Sequence, residues 1–275
     1  MIASISLCSS GRLAHLEAQL AAVSDTSGVL PIVVWLGDDA PPAVDGVTVA
    51  RVAPATGAAG FGPAGAFRLA AARNVGAALA IDAGADLLVF LDADCIPGPE
   101  LFARYVSAAE EHSDAVLCGP VTYLPEGMTS VDAASLVAAT APHRARPNPP
   151  AGGVTIAAAS DYALFWSLSF ALTPDTWARA GGFHEAYVGY GGEDTDFAWT
   201  LRDRGIPLAW VGGAHAYHQY HPTSSPPWHN IDDIVRNAGL FFDRWGEWPM
   251  SGWLAAFQEA GAVDLVDGRW ARVAR

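Results

Sequence analysis

The chain contains no lysine; all 15 of its basic residues are arginine. Schiff-base chemistry and a Walker-type phosphate loop both need a lysine amine, so both are excluded. Cysteine is scarce as well: Cys8, Cys95 and Cys118 are odd in number, far apart and without the C-x-x-C spacing of a zinc or redox site. They point to a reducing compartment. Positive charge is short against 29 acids, giving a net charge of −14. Such a surface repels nucleic acid and anionic lipid heads, so no nucleic-acid partner is expected. Most of those acids serve to solubilise a chain that is 51% hydrophobic. No apolar run approaches the ~20 residues of a membrane span, and no basic segment with a long apolar stretch opens the chain. The expectation is a soluble, cytoplasmic protein with no integral membrane segment, peripheral membrane contact staying open.

What is present is alternation. Strand patterns at 2–8, 30–36, 47–52 and 86–91 are interleaved with helical ones at 12–23, where Leu13, Leu16, Leu20 and Val23 share a face, and at 67–81. Repeated β-α-β order predicts an α/β fold with a mainly parallel sheet flanked by helices. Pro99 opens a further helix to about 111, and 115–118 reads as a short strand. No polar low-complexity stretch divides the 275 residues, so a single domain is expected.

Beyond Gly119 the pattern changes. Residues 144–153, RARPNPPAGG, have the composition of an irregular loop, either a lid or an ordered surface connection. Residues 163–172 read as a strand, and Thr173-Pro174 as the start of a helix that ends at Gly181-Gly182. A helix over 193–204 stops at Gly205 and precedes a strand at 208–211. The tail carries helical patterns at 231–245 and 251–260, whose Phe241, Phe242, Trp245 and Trp253 read as packing.

Three groups of residues carry chemistry. Leu87 to Leu91 is an all-apolar run that ends on Asp92 and Asp94, at the place where open α/β sheets bind ligands. Two carboxylates there invite a divalent cation, which usually completes its shell with water and substrate phosphate. Gly191-Gly192-Glu193-Asp194-Thr195-Asp196 aims acids from the first turn of a helix. Three acids in four residues repel unless a cation or proton is shared, which makes a carboxylate there a fit candidate for a general base. His215, His218 and His221 could present one or two imidazoles to a metal. Imidazole, carboxylate and phosphate oxygen together suit Mn2+ better than Ca2+, with Mg2+ tolerated.

Five segments share an order with a known family: ARNVG at 72–76, FLDAD at 90–94, WSLSFAL at 166–172, GGF at 181–183 and GYGGEDTDF at 189–197. Together they resemble the inverting family-2 glycosyltransferases of the GT-A fold, with a second half similar to the carboxyl-terminal region of β-1,4-galactosyltransferases. The resemblance covers roughly residues 1–221. It implies a nucleotide-binding half at 1–119 and an acceptor and metal half at 120–222, and the helical patterns of the tail make 223–275 a helical extension.

The same resemblance implies the following roles. Asp94 binds Mn2+ that bridges the donor diphosphate, and Asp92 contacts the donor ribose or sugar. His218 completes the metal site, with His215 and His221 as alternatives because HAYHQYH aligns ambiguously by three residues. Arg73 approaches the nucleotide or donor sugar, Asp38 or Asp39 accepts a hydrogen bond from the base, and Arg12 reaches a phosphate. Asp194 is the catalytic base and Glu193 an acceptor-binding partner, with Tyr190 near the sugars. Apart from the resemblance, Tyr162, Phe165, Trp166 and Tyr190 are aromatics that either stack on sugar faces or pack in the core. The chain departs from the family at Cys8-Ser9-Ser10-Gly11, which replaces the common Pro-x-Tyr-Asn type. The activity expected is metal-dependent transfer of a sugar, with inversion, from a UDP-sugar donor to an acceptor hydroxyl. The rival readings are a metal-dependent hydrolase and a non-catalytic nucleotide-sugar-binding module.

Overall fold

A computed structural model describes residues 1–57, 63–128 and 130–273. Its first part follows the predicted alternation: β1 (Ile2–Cys8), α1 (Leu13–Ser24), β2 (Val29–Leu36), β3 (Thr48–Val52), α2 (Leu69–Asp82) and β4 (Leu87–Leu91). Next come β5 (Cys95–Pro97), α3 (Leu101–Glu111), β6 (Val116–Cys118), β7 (Val121–Tyr123), α4 (Ala133–Ala138) and β8 (Val154–Ile156). β9 (Ser169–Leu172), α5 (Pro174–Ala180), α6 (Glu193–Asp203), β10 (Leu208–Val211) and β11 (Ala216–His218) follow. The chain closes with α7 (Ile231–Trp245), α8 (Ser251–Glu259), β12 (Val263–Val266) and β13 (Arg269–Arg272).

The main sheet has eight strands in the order β3-β2-β1-β4-β9-β6-β10-β8. β3, β2, β1 and β4 pair in parallel, as do β6 and β10, whereas β9 and β8 run against their neighbours. The expected mainly parallel α/β sheet is therefore present. Its central strands are apolar on both faces: Leu87 to Leu91 are all buried, as strands covered by helices on either side must be. α2 lies close on β1 and β2 because Gly76 has no side chain; a Cβ there would run into Ile5 and Val34. One face is filled by stacked rings, with Phe90 and Phe170 4.5 Å apart and Phe183 and Phe197 4.3 Å apart.

A second sheet, β5-β11-β7, decides where the site forms. β11 runs antiparallel to β5 with His218 opposite Cys95 and Tyr217 opposite Ile96. Residues more than a hundred positions apart thereby become neighbours, and Gln219 N–H donates to the carbonyl of Asp94 at 2.7 Å. Tyr217 points the other way, into a small core with Ile96, Leu124 and Leu136.

Two sequence expectations change, and one pair of alternatives narrows. The strand expected over 163–172 is shorter: a 3-10 turn occupies Ala159–Leu164, and β9 begins at Ser169, where pairing with Leu91 of β4 begins. Asp161 drives that turn by accepting from the backbone N–H of Ala158. The tail is not purely helical, since β12 and β13 form a hairpin behind α7 and α8. The 144–153 segment is stitched down, with Gly152 N–H on Gly212 O at 3.3 Å and Gly212 N–H on Gly153 O at 2.9 Å. An ordered connection, rather than a lid, is the alternative those bonds favour. No helix among the described residues is long and apolar enough to cross a membrane.

Candidate active site

β4 delivers Asp92 and Asp94 to the carboxyl end of the sheet, and α1 fixes the turn that carries them. Gln19, fully buried on α1, donates to the carbonyls of Asp92 at 2.7 Å and Cys95 at 2.8 Å, and accepts from Ser6 at 2.6 Å. With both its amide ends bonded, that side chain can hold the Asp-x-Asp backbone in one conformation.

Asp94 faces two imidazoles. Its Oδ1 lies 3.6 Å from His218 Nε2 and its Oδ2 3.3 Å from His221 Nε2, with Arg12 Nε 3.5 Å away on the same oxygen. Burial alone would raise the Asp94 pKa, but the hydrogen bond from His221 and the nearby His218, His221 and Arg12 hold it below the usual carboxylate value. One ligand atom from each of Asp94, His218 and His221 falls within 4.8 Å of the others, the one such grouping among the described residues. A carboxylate with two imidazoles is a donor set for a divalent transition-metal ion, and its ligand atoms are close enough to share one ion.

His215 does not join this group. It is buried on the far side of the ladder, where its Nε2 pairs with the Thr122 hydroxyl at 2.6 Å, and burial pushes its pKa down to about 4. His215 is thus a neutral structural histidine, and His221 stands beside His218 rather than replacing it.

A chain of ion pairs runs from Asp92 towards α6. Arg73, buried on α2 beneath the Phe183 ring, places Nη2 3.3 Å from Asp92 Oδ1 and Nη1 3.4 Å from Glu193 Oε1. The next residue of the same helix, Asn74, ties down the Gly181-Gly182-Phe183 turn by donating to Phe183 O at 2.9 Å and accepting from Phe183 N–H at 2.8 Å. One guanidinium serves several acids here. Burial and neighbouring carboxylates push Asp92 up to about 6 and Glu193 up to about 7, despite Arg73. Burial also raises Asp194, partly countered by the Thr195 N–H and by Arg73. The Thr195 backbone N–H at 2.7 Å and hydroxyl at 3.4 Å both bond Oδ1 of Asp194.

Asp196, the third acid of that run, has a different task. It is buried against Arg244 at 3.0 Å, Trp245 Nε1 at 2.7 Å and the Tyr187 hydroxyl at 3.1 Å, which locks α6 to α7. The crowding expected from three adjacent acids is thus relieved by sending one of them to the opposite side of the helix.

The remaining predicted residues divide. Tyr190 is 40% exposed and stacks on Trp253 with centroids 6.0 Å apart. Its phenol feels Asp194 and Glu193, although burial is the larger cause of its pKa rise to about 12. Trp166 is half-buried between His143, 5.0 Å away, and the Arg146 guanidinium, 5.2 Å away. Tyr162 and Phe165 are core residues. Asp38 and Asp39 are exposed just beyond β2, at the sheet edge that also carries Asp92; Asp39 accepts from Trp35 Nε1 at 3.2 Å.

Sequence reasoning missed three contributors. Gln19 looks like any polar residue of an amphipathic helix. Arg146 is buried between the Trp166 and Trp210 rings with none of its guanidinium nitrogens hydrogen-bonded among the described residues. Asn237 on α7 holds the turn that precedes Glu193, and no motif marks it.

Comparison with known proteins bears on the fold and on part of the chain. A family model described as the N-terminal domain of galactosyltransferase matches residues 153–222. Validoxylamine A glucosyltransferase of Streptomyces hygroscopicus subsp. jinggangensis (strain 5008) is 30% identical over 158 residues, which cover 52% of this chain and 37% of that protein. Its counterpart in subsp. limoneus is also 30% identical, over 34% of its length. The alignment therefore spans only about a third of these curated relatives. Among solved structures, GalNAc-T7 with UDP, GalNAc and Mn2+ superposes at TM-score 0.54 and 14% identity, over 88% of this chain and 49% of that one. S. aureus TarS 1-349 in complex with UDP-GlcNAc superposes at TM-score 0.55 and 12% identity, over 87% and 66%. The chain has the GT-A glycosyltransferase fold.

Proposed function

We propose that the protein is a metal-dependent glycosyltransferase that moves a sugar, with inversion, from a UDP-sugar to an acceptor hydroxyl. The observation that carries this reading is the continuity of the site. A cation-ready trio, Asp94, His218 and His221, connects through Asp92, Arg73 and Glu193 to a carboxylate whose proton affinity is raised, Asp194. Relatives named as glucosyltransferases, and fold neighbours solved with UDP or a UDP-sugar, support the donor class.

A divalent ion held by the trio would supply neutralisation of charge on the departing diphosphate. The protein's own groups do the rest. Arg12 stands beside Asp94 where a phosphate would lie, Asp92 meets the ribose or sugar, and Asp38 or Asp39 meets the base. Asp194 Oδ2 takes the proton from the acceptor hydroxyl as that oxygen bonds to the anomeric carbon. The bond from that carbon to the diphosphate oxygen breaks, and its electron pair leaves with the nucleotide. Entry opposite the leaving group gives inversion. Glu193 and Tyr190 flank the acceptor, and Trp166 offers a further aromatic face.

The deciding experiment is a thermal-shift screen of nucleoside diphosphates with and without Mn2+, followed by a transfer assay with the matching donor. Stabilisation by UDP only when Mn2+ is present, with the anomeric configuration inverted in the product, is the expected result. Metal-independent UDP binding, or release of free sugar without transfer to any hydroxyl, would overturn the reading.

A further inference from the structure

The turn that aims Glu193 and Asp194 cannot hold itself. Gly189, Gly191 and Gly192 all have positive φ, at 73°, 89° and 91°, and Gly192 opens α6 with no side-chain cap. Glycine is the residue that adopts this conformation without strain, but it also leaves the chain free to adopt others. The restraint comes from α7. The side-chain amide nitrogen of Asn237, 1% exposed, lies within hydrogen-bond distance of three carbonyls of the turn, Val188 O at 3.1 Å, Tyr190 O at 3.2 Å and Gly191 O at 2.7 Å, which share its two N–H groups. One turn of helix earlier, Asp233 accepts from Tyr190 N–H at 3.1 Å and is itself paired with Arg236 at 2.8 Å. Arg236 also donates to Val188 O. The fit is close: a Cβ on Gly189 would collide with the Asp233 carboxylate, and one on Gly191 would lie 2.9 Å from Met250 Sδ.

We infer that Asn237, backed by Asp233, is the positioning residue for the general base, so that a helix outside the 153–222 family match is a working part of the site. The inference rests on the reading of Asp194 as base. Its physical basis is that proton transfer needs the carboxylate oxygen within hydrogen-bond reach of the acceptor hydroxyl, and a shift of about 1 Å can cost about 100-fold. The donor side should be indifferent, because Asp92 and Asp94 are fixed separately by Gln19 and β11.

The test uses the full chain with Asn237→Ala and, as a milder perturbation of the same turn, Asp233→Ala. The expected result is a kcat lowered about 10- to 100-fold in Asn237→Ala and less in Asp233→Ala, with donor KM and the calorimetric Kd for UDP with Mn2+ within about twofold of wild type. Hydrogen exchange is the second readout: amides at 188–194 should exchange faster while those at 91–96 keep their protection. A folded variant with wild-type kcat and unchanged exchange overturns the inference, as does a parallel loss of turnover and UDP affinity. Were Asn237→Ala to unfold, Asp233→Ala would carry both readouts. If the wild-type chain transfers no sugar, the glycosyltransferase reading fails by itself, and the exchange pattern still judges whether α7 holds the turn.

Discussion

The two ends of the candidate site treat the same functional group in opposite ways. At one end Asp94 lies among two imidazoles and a guanidinium, and its carboxyl is held below its ordinary pKa although it is buried. At the other, Asp92, Glu193 and Asp194 crowd around Arg73, and all three are raised. A carboxylate surrounded by donors stays charged and is suited to a cation. Carboxylates that outnumber their counter-ions gain affinity for a proton, which is what a base that must accept one requires. The surroundings, rather than the type of side chain, set the two directions.

Substitutions can break this contrast one end at a time. The largest effect should come from Asp194→Asn: about 10²- to 10⁴-fold less turnover, with UDP affinity in Mn2+ unchanged by calorimetry. Near-wild-type turnover in that variant would take the base role away from Asp194. At the other end, Asp94→Ala should abolish the Mn2+-dependent rise in Tm that UDP gives the wild type. That rise corresponds to about 2.7 kcal/mol at a ligand concentration 100 times its Kd. His218→Ala and His221→Ala should each lose most of it as well. His215→Ala should keep it, because that ring is occupied with Thr122.

A smaller effect concerns pH. Asp194 must be ionised to act, and burial raises its pKa, so the acid limb of kcat/KM should lie above the ordinary aspartate value of 3.8. Arg73 lowers that pKa, so Arg73→Met should move the limb to higher pH; a limb that stays in place would disconnect Arg73 from the base. The smallest effect is on stability. Because Glu193 binds its proton more tightly when folded, its contribution is full below 4.5 and is lost as pH rises to about 7. Glu193→Gln should therefore flatten the fall of Tm across that range, by about a few degrees. Equal slopes in mutant and wild type would mean that Glu193 titrates normally.

How much of this was legible in the sequence depended on the length of the signal. β1, β2, β4, α2 and α7 announce themselves through five or more residues of consistent pattern, and the run into Asp92 and Asp94 gives both a strand and its functional end. The three-residue strands β5, β7 and β11 are too short to show a period, so the ladder that brings His218 to Asp94 was invisible. That is why the choice among three histidines stayed open. The Asp194 assignment came from motif order, whereas the departure of Asp196 towards Arg244 and Trp245 depends on packing that no local pattern encodes. Asn237 shows the same limit, being an ordinary polar residue of an amphipathic helix until its partners are known.

The pairing of β11 with β5 has a consequence for how this site can vary. Side chains alternate across a strand, so sliding β11 by one residue would exchange His218 for Tyr217, turning the imidazole into the small apolar core and the phenol towards Asp94. No intermediate setting exists. Inserting or deleting a single residue within 216–218 should therefore take the first imidazole away from Asp94, and a change of length between Gln219 and His221 should displace the second.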